Sequence, residues 1–229
     1  MNTKRLVIFI APPGAGKGTQ ADVLSHTHGF EHVETAKIIS HKFMAAEEDD
    51  AVIVREKEKY DAGQMVEPKL VSQWFLEEIE LLSNQGKSIV VSGSPRTLYE
   101  AKAVLPSFIK WFGTDNIIVF NVEIDEETSI QRNSGRRLCK LNRHPIPNDE
   151  AHRNITVCPD DGSALEHRGS LDTPEVIKKR YQVYLEETKP VLDVMREMNL
   201  NIIEIDGSDA IETMSKKIAS YIDGLKSQN

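Results

Sequence analysis

Short apolar runs alternate along this chain with longer stretches in which apolar residues recur at helical spacing. Residues 5–10, 31–34, 88–92, 116–122 and 201–205 are short, apolar or β-branched, and bounded by turn or charge signals, so each predicts a strand. Between them, residues 17–28, 68–84, 97–112, 126–135, 173–198 and 209–225 predict helices. Pro68 and Pro174 are start signals, and Asp172 is the expected N-cap of the long helix over 173–198. Strands separated by helices imply a parallel sheet with right-handed crossovers and ligands at its carboxyl edge.

Two stretches break the alternation. Residues 36–64 have helical composition and carry the acidic run Glu47-Glu-Asp-Asp50, which reads as a solvated face. Residues 136–171 are rich in Asn, Pro, His, Asp and Gly and predict an irregular or β-type insertion, the usual setting of a lid or binding loop.

Chemistry enters at the first strand. Leu6-Val-Ile-Phe-Ile10 runs directly into Ala11-Pro-Pro-Gly-Ala-Gly-Lys17-Gly-Thr19-Gln. Small residues between a strand and a helix N-terminus let backbone N–H groups converge on phosphate oxygens, while the helix dipole and Lys17 add positive charge. The common spacing has Gly where Ala11 stands and a hydroxyl directly after the lysine. Ala11 is tolerated if its φ stays negative. Gly18 displaces the hydroxyl that often ligates magnesium to Thr19.

Composition narrows the remaining choices. The 229 residues, 39% of them hydrophobic, suffice for a full core, and the net charge of −8 with dispersed Lys and Arg disfavours DNA or RNA as partner. The leading apolar run is too short for a signal-peptide core or a membrane span. Two cysteines, Cys139 and Cys158, give no disulfide framework, and a reducing cytoplasm is expected.

Several motifs in order make the chain resemble the adenylate kinase family of nucleoside monophosphate kinases, of the long-lid type, over essentially its whole length. Pro13-Gly-Ala-Gly-Lys-Gly-Thr-Gln20 is similar to the family's loop, including its Gly after Lys. Gly93-Ser-Pro-Arg-Thr97 resembles the segment whose Arg grips the monophosphate, Arg132-Asn-Ser-Gly-Arg-Arg137 the helix end entering the lid, and Lys178-Lys-Arg180 the helix leaving it. Asp206-Gly-Ser208 fits the turn where backbone groups meet the donor's adenine.

The resemblance implies an α/β three-layer P-loop fold with a five-stranded parallel sheet. It implies a core of residues 1–34, 65–135 and 172–229, a helical monophosphate-binding insertion at 35–64 and a lid at 136–171. Its implied reaction is ATP + AMP to 2 ADP with Mg2+, in a cytoplasmic monomer. Donor contacts would come from Pro13, Gly14, Ala15, Gly16, Lys17, Gly18, Thr19, Arg132, Arg136 and Ser208. Acceptor contacts would come from Thr35, Lys37, Ser40, Met65, Val66, Gly93, Arg96, Glu100, Arg168 and Arg180. Lys17, Arg96, Arg132, Arg168 and Arg180 would be catalytic, and Asp172 would pair with lid arginines. Such transfer rests on alignment and charge stabilisation rather than covalent help.

Where the family's lid carries four zinc ligands or a polar tetrad, this chain has Cys139, Asn142, Cys158 and Asp161, with His144 able to substitute. Asn is a poor zinc ligand, so a cluster without metal is preferred here and structural zinc stays open.

Other departures touch the acceptor and the metal. Lys37 and Ser40 replace an acid and a phosphate-gripping Arg, and Ser92 replaces the Asp that holds magnesium-bound water in the family. Weaker magnesium binding is expected, with Lys37 taking part of the phosphate grip. Glu100 replaces a Gln that reads adenine. An ionised carboxylate only accepts, which suits guanine, so GMP or IMP stays open beside AMP, unless Glu100 faces solvent or is offset by Lys37. A nucleotide-binding protein with reduced catalysis is the rival from another class.

Overall fold

In the computed structural model, described over residues 4–47, 50–62, 64–141, 144–146, 150, 152–167 and 172–226, five parallel strands lie in the order β2-β3-β1-β4-β8. They are β1 (Leu6–Ile10), β2 (Glu31–Glu34), β3 (Ile89–Ser92), β4 (Ile117–Glu123) and β8 (Asn201–Asp206). Each predicted strand is present, with ends shifted by at most one residue.

Both faces of β1 are covered, as a near-continuous apolar run in a parallel sheet requires. Leu6, Ile8 and Ile10 pack with Phe75, Ile79, Val104 and Phe108 on one side. Val7 and Phe9 pack with Leu24, Met214 and Ile218 on the other. The first layer comprises α4 (Pro68–Asn84), α5 (Leu98–Phe112) and α8 (Val191–Glu197); the second comprises α1 (Lys17–His28) and α9 (Ile211–Lys226). The β1 pairs Phe9↔Ser92 and Ile10↔Asn121 set the strand ends level, so the loops that follow share one edge.

The helical stretch after β2 forms α2 (Thr35–Ala45) and α3 (Ala51–Asp61), which pack on α4 through Ile39, Val66, Val71 and Trp74. Within the acidic run Asp50 caps α3, its carboxylate accepting from Val52 N–H and Ile53 N–H at 3.0 and 3.1 Å. The insertion after α6 (Glu126–Ser134) forms an antiparallel sheet of β5 (Arg137–Cys139), β6 (Pro145–Ile146) and β7 (Leu165–His167) in the order β6-β5-β7.

The helix expected over 173–198 is divided. α7 (Pro174–Val183) passes into a π-helical turn at Tyr184–Thr188, and α8 follows Pro190. Pro190 has no N–H to donate, and the wider turn closes through Lys189 N–H to the Tyr184 carbonyl at 2.8 Å. The expected cap is also corrected. Thr173, not Asp172, caps α7 by accepting from Val176 N–H, which leaves the Asp172 carboxylate for other partners. No helix among the described residues is long and apolar enough to cross a membrane.

Candidate active site

The loop between β1 and α1 ends at Gly16, whose φ of 85° places it in the left-handed region, and no side chain caps the helix there. The first N–H groups of α1 therefore face the sheet edge without an internal acceptor. Ala11 has a negative φ, as its substitution for Gly requires; Asn199 is the only non-Gly residue with positive φ among those described. The loop is braced from behind by α6, where the Ser129 hydroxyl donates to the Pro13 carbonyl at 2.7 Å and Asn133 packs against Gly14. A side chain at Gly14 would overlap Asn133, and the φ of 79° disfavours one in any case. Ser129 and Asn133 were not legible as site residues, because nothing in α6's sequence marks contact with a loop over a hundred positions away.

Lys17 lies at the centre of the positive charge. Its ammonium is held down to a pKa of about 7, first by burial and then by Arg96, Arg180 and Arg136, with Glu34 acting in the opposite sense. Three arginines from separate segments thus converge on the lysine of the loop. Asp172 joins two of them, accepting from Arg136 at 2.9 and 3.1 Å and from Arg180 at 3.4 Å. The buried Arg136 Nε and Thr35 Oγ1 have no hydrogen-bond partner among the described residues.

Arg96 is positioned by its own loop, after the cis Ser94–Pro95 bond. Its Nε donates to the Gly93 carbonyl at 2.5 Å, and its carbonyl accepts from Thr188 Oγ1 at 2.9 Å, so the π-helical turn secures it. A Cβ at Gly93 would stand 3.1 Å from Arg96 Nη2 and 3.4 Å from Thr35 Oγ1, which shows how closely these three residues approach.

Glu100 sits otherwise than expected. It is 3% exposed, and its Oε2 accepts from Ser94 Oγ at 2.5 Å and from Arg96 N–H at 2.8 Å. It faces neither solvent nor Lys37. Burial pushes its carboxyl up, against the lowering effects of the Ser94 and Arg96 hydrogen bonds and the Arg96 charge. Thr97 caps α5 by accepting from Glu100 N–H, so Thr-x-x-Glu is a capping-box pattern whose acid reaches one residue further back. That signal was present in the sequence.

Lys37 is 53% exposed and pairs with Glu34 at 3.6 Å. Glu34, not singled out from the sequence, also acts on Lys17. Met65 and Val66 follow α3, and the next residue is anchored by Glu56, which is fully buried and accepts from Glu67 N–H at 2.8 Å and from Lys59 at 2.7 Å. Arg132 is turned to the turn after β8, donating to the carbonyls of Gly207 at 2.6 Å and Ser208 at 3.3 Å. A Cβ at Gly207 would stand 2.8 Å from both Ile124 and Val122 side chains, so the turn lies tight on β4. Arg168 and Asn142 lie outside the described residues.

In the insertion that carries β5–β7, Cys139, His144, Cys158 and Asp161 bring their donor atoms within 4.8 Å of one another. His144 Nδ1 lies 3.4 Å from both Cys158 Sγ and Asp161 Oδ2. Cys139 Sγ donates to Asp161 Oδ2 at 3.2 Å and accepts from His144 N–H at 3.1 Å.

The family model described as adenylate kinase matches residues 9–200. An adenylate kinase of Archaeoglobus fulgidus is 30% identical over 226 residues, covering 96% of this chain and 99% of its own. The adenylate kinase of Enterococcus faecalis is 30% identical over 221 residues, 95% and 98% of the two chains. That of Thermosipho melanesiensis is 28% identical over 221 residues, 94% and 98% of the two chains.

Proposed function

The chain belongs to the adenylate kinase family, and from that premise we propose that its sheet-edge site transfers the γ-phosphoryl group of ATP to AMP, giving two ADP. The observation that carries the assignment is the gathering of Arg96, Arg136 and Arg180 around Lys17, beside the uncapped N-terminus of α1. Two anionic substrates could not approach each other without such counter-charge, and fixed cations stabilise the charge that spreads over the moving phosphoryl oxygens.

Lys17 and the loop N–H groups hold the β- and γ-phosphates of ATP. Arg96 and Arg180 hold the acceptor phosphate and the group in flight, and Arg136 approaches the donor from the lid. Arg132 acts through the Gly207–Ser208 turn that receives the donor's adenine. Thr35, Met65 and Val66 line the acceptor nucleotide, with Lys37 at the rim. The insertions at 35–64 and 136–171 close over the substrates and exclude water. AMP is favoured over GMP or IMP because the Glu100 carboxylate oxygen is already engaged by Ser94 and Arg96. The unpaired cysteines suit a reducing cytoplasm, where the protein acts as a monomer, as the family expectation has it.

Magnesium fits the hard oxygen donors at the strand ends, where Ser92 Oγ and the Glu34 carboxylate would hold its water shell and the ion would neutralise phosphate charge. Structural zinc fits the lid cluster of two thiols, one imidazole and one carboxylate, a closed four-ligand set. The sequence reading preferred a cluster without metal; zinc is proposed here on the convergence of the four donors, and it would supply folding energy to a small sheet.

Diphosphate formation from MgATP with AMP, GMP, IMP, CMP and UMP, separated by chromatography, tests the assignment, with Lys17→Ala as control. Rapid ADP formation with AMP is expected. ATP binding without transfer to any acceptor would overturn it.

A further inference from the structure

Apart from the phosphate loop and its arginines, a cleft of about 420 Å³ opens between strands β4 and β8 on one side and the π-helical turn with α8 on the other. None of its lining residues belongs to the site described above. Its volume falls in the range of small-molecule sites.

The cleft contains a break in an apolar strand. β4 reads Ile117-Ile-Val-Phe-Asn121-Val-Glu123, and Asn121 is 2% exposed. Alternation places Asn121 on the face of Ile117 and Val119, and its partner in β8 is Glu204. Asn121 Nδ2 donates to Glu204 Oε2 at 2.6 Å, and a carboxylate only accepts, so the amide oxygen is the atom left over. Asn121 Oδ1 is buried and has no hydrogen-bond partner among the described residues. Nor has the buried hydroxyl of Tyr184, from the π-helical turn. Burial, then Glu123, Tyr181 and Glu204, push that phenol up, so it shares its surroundings with two carboxylates of the cleft. Buried polar atoms left unpaired cost stability, and an occupant that pairs them recovers it.

The rest of the lining defines the occupant. An amide oxygen accepts, so the occupant must donate. The cleft carries three carboxylates, Glu123, Asp193 and Glu204, against two cations, Lys189 and Arg196. Both cations are already paired, Lys189 with Glu123 at 2.8 Å and Arg196 with Asp193 at 2.8 Å and Glu204 at 3.6 Å. An anion would have to break one of these pairs, whereas a cation meets the surplus of carboxylate. Leu185, Pro190 and Leu192 add an apolar wall, which suits an aliphatic stem and offers nothing to a hydrated metal ion.

We infer that this cleft binds a small molecule bearing a primary ammonium group on a short aliphatic stem, its N–H groups donating to Asn121 Oδ1 and its charge facing Glu204. The Tyr184 hydroxyl supplies a second polar contact. The inference is independent of the nucleotide assignment above.

Titration of the full-length, nucleotide-free protein with n-butylammonium at neutral pH and constant ionic strength, followed by two-dimensional amide NMR spectra, supplies the measurement. Saturable shifts centred on the amides of Asn121, Lys189 and Glu204 are expected. Butyltrimethylammonium has the same stem and charge but no N–H, and should bind about tenfold more weakly, the worth of a hydrogen bond to a charged group. Asn121→Leu continues the apolar strand, removes the acceptor and should weaken butylammonium by a similar factor. Glu204→Gln keeps an acceptor for Asn121 Nδ2 while removing the charge, and should weaken binding about two- to fivefold. Tyr184→Phe should weaken it about two- to tenfold. If Asn121→Leu does not fold, the Gln and Phe variants decide the comparison. The absence of saturable shifts, equal shifts from the quaternary ion or from calcium chloride, or parental affinity in the folded variants would overturn the inference.

Discussion

Replacing Glu100 by Ala removes the acceptor of two donors at once. The Arg96 N–H lies 2.8 Å from Oε2 and the Ser94 hydroxyl 2.5 Å from it, and Ser94 and Glu100 are buried. A partly buried N–H left without an acceptor costs about 1–3 kcal/mol, and losing the buried hydroxyl's bond adds about 0.5–1.5 kcal/mol. The Glu100→Ala protein should therefore be about 2–4 kcal/mol less stable. For a chain of this size that lowers Tm by about 5–15 °C. Because the released backbone carries Arg96, kcat/KM for AMP should fall about 10- to 100-fold, with a smaller change for ATP. Glu100→Gln keeps an oxygen for Arg96 N–H and should stay within about 1 kcal/mol of the parent, with its preference for AMP over GMP unchanged. The pH dependence has a definite sign. A buried acid with a raised pKa binds more protons folded than unfolded, so its contribution to stability declines as pH climbs from the ordinary carboxylate range through the raised value. Gln has no such slope, and the Gln variant should gain on the parent over that window. Thermal unfolding across pH, with steady-state kinetics on AMP and GMP, measures all of these. An Ala variant of parental stability, or a Gln variant with altered base preference, would refute the argument and return Glu100 to reading the base.

Other outcomes follow from the same geometry. Lys17 is held to about pH 7 by burial and three arginines, and polyphosphate reverses that, so ATP binding at pH 8 should take up a proton. Buffers of different ionisation enthalpy should then give different binding enthalpies, and equal enthalpies would contradict the arrangement. Ser129→Ala frees the Pro13 carbonyl and should raise KM for ATP about three- to tenfold, as titration kinetics would show. Purified protein should carry one zinc by elemental analysis, and Cys158→Ser should lose it together with several degrees of Tm. Metal-free protein of unchanged stability would count against the lid site.

Local chemistry made much of this molecule legible. The loop from Pro13 to Thr19 announces itself because strand, small residues, lysine and helix are adjacent, and α1 and α4 span the residues their spacing predicts. Adjacent candidates were harder to separate. Asp172 and Thr173 are both good caps, and what decides between them is distant, since two arginines compete for the aspartate. The break after Val183 depends on Pro190, which the periodicity of its neighbours conceals. His32 lies within hydrogen-bond distance of Asp22 and Ser92, ten and sixty residues away, and no local pattern encodes such contacts. His144 joins Cys139, Cys158 and Asp161 through the folding of the loop, which residue spacing does not specify.

Asp172 bears on the kinetics of nucleotide entry. One carboxylate holds Arg136 and Arg180 together before any phosphate arrives, so like charges that would otherwise repel are already mutually screened. On the proposed assignment, an incoming polyphosphate would meet paired rather than bare cations, and would displace a tethered anion that stays close by, ready to return when product leaves. Binding is then an exchange between two anions, and its dependence on ionic strength should be shallower than the number of arginines would suggest.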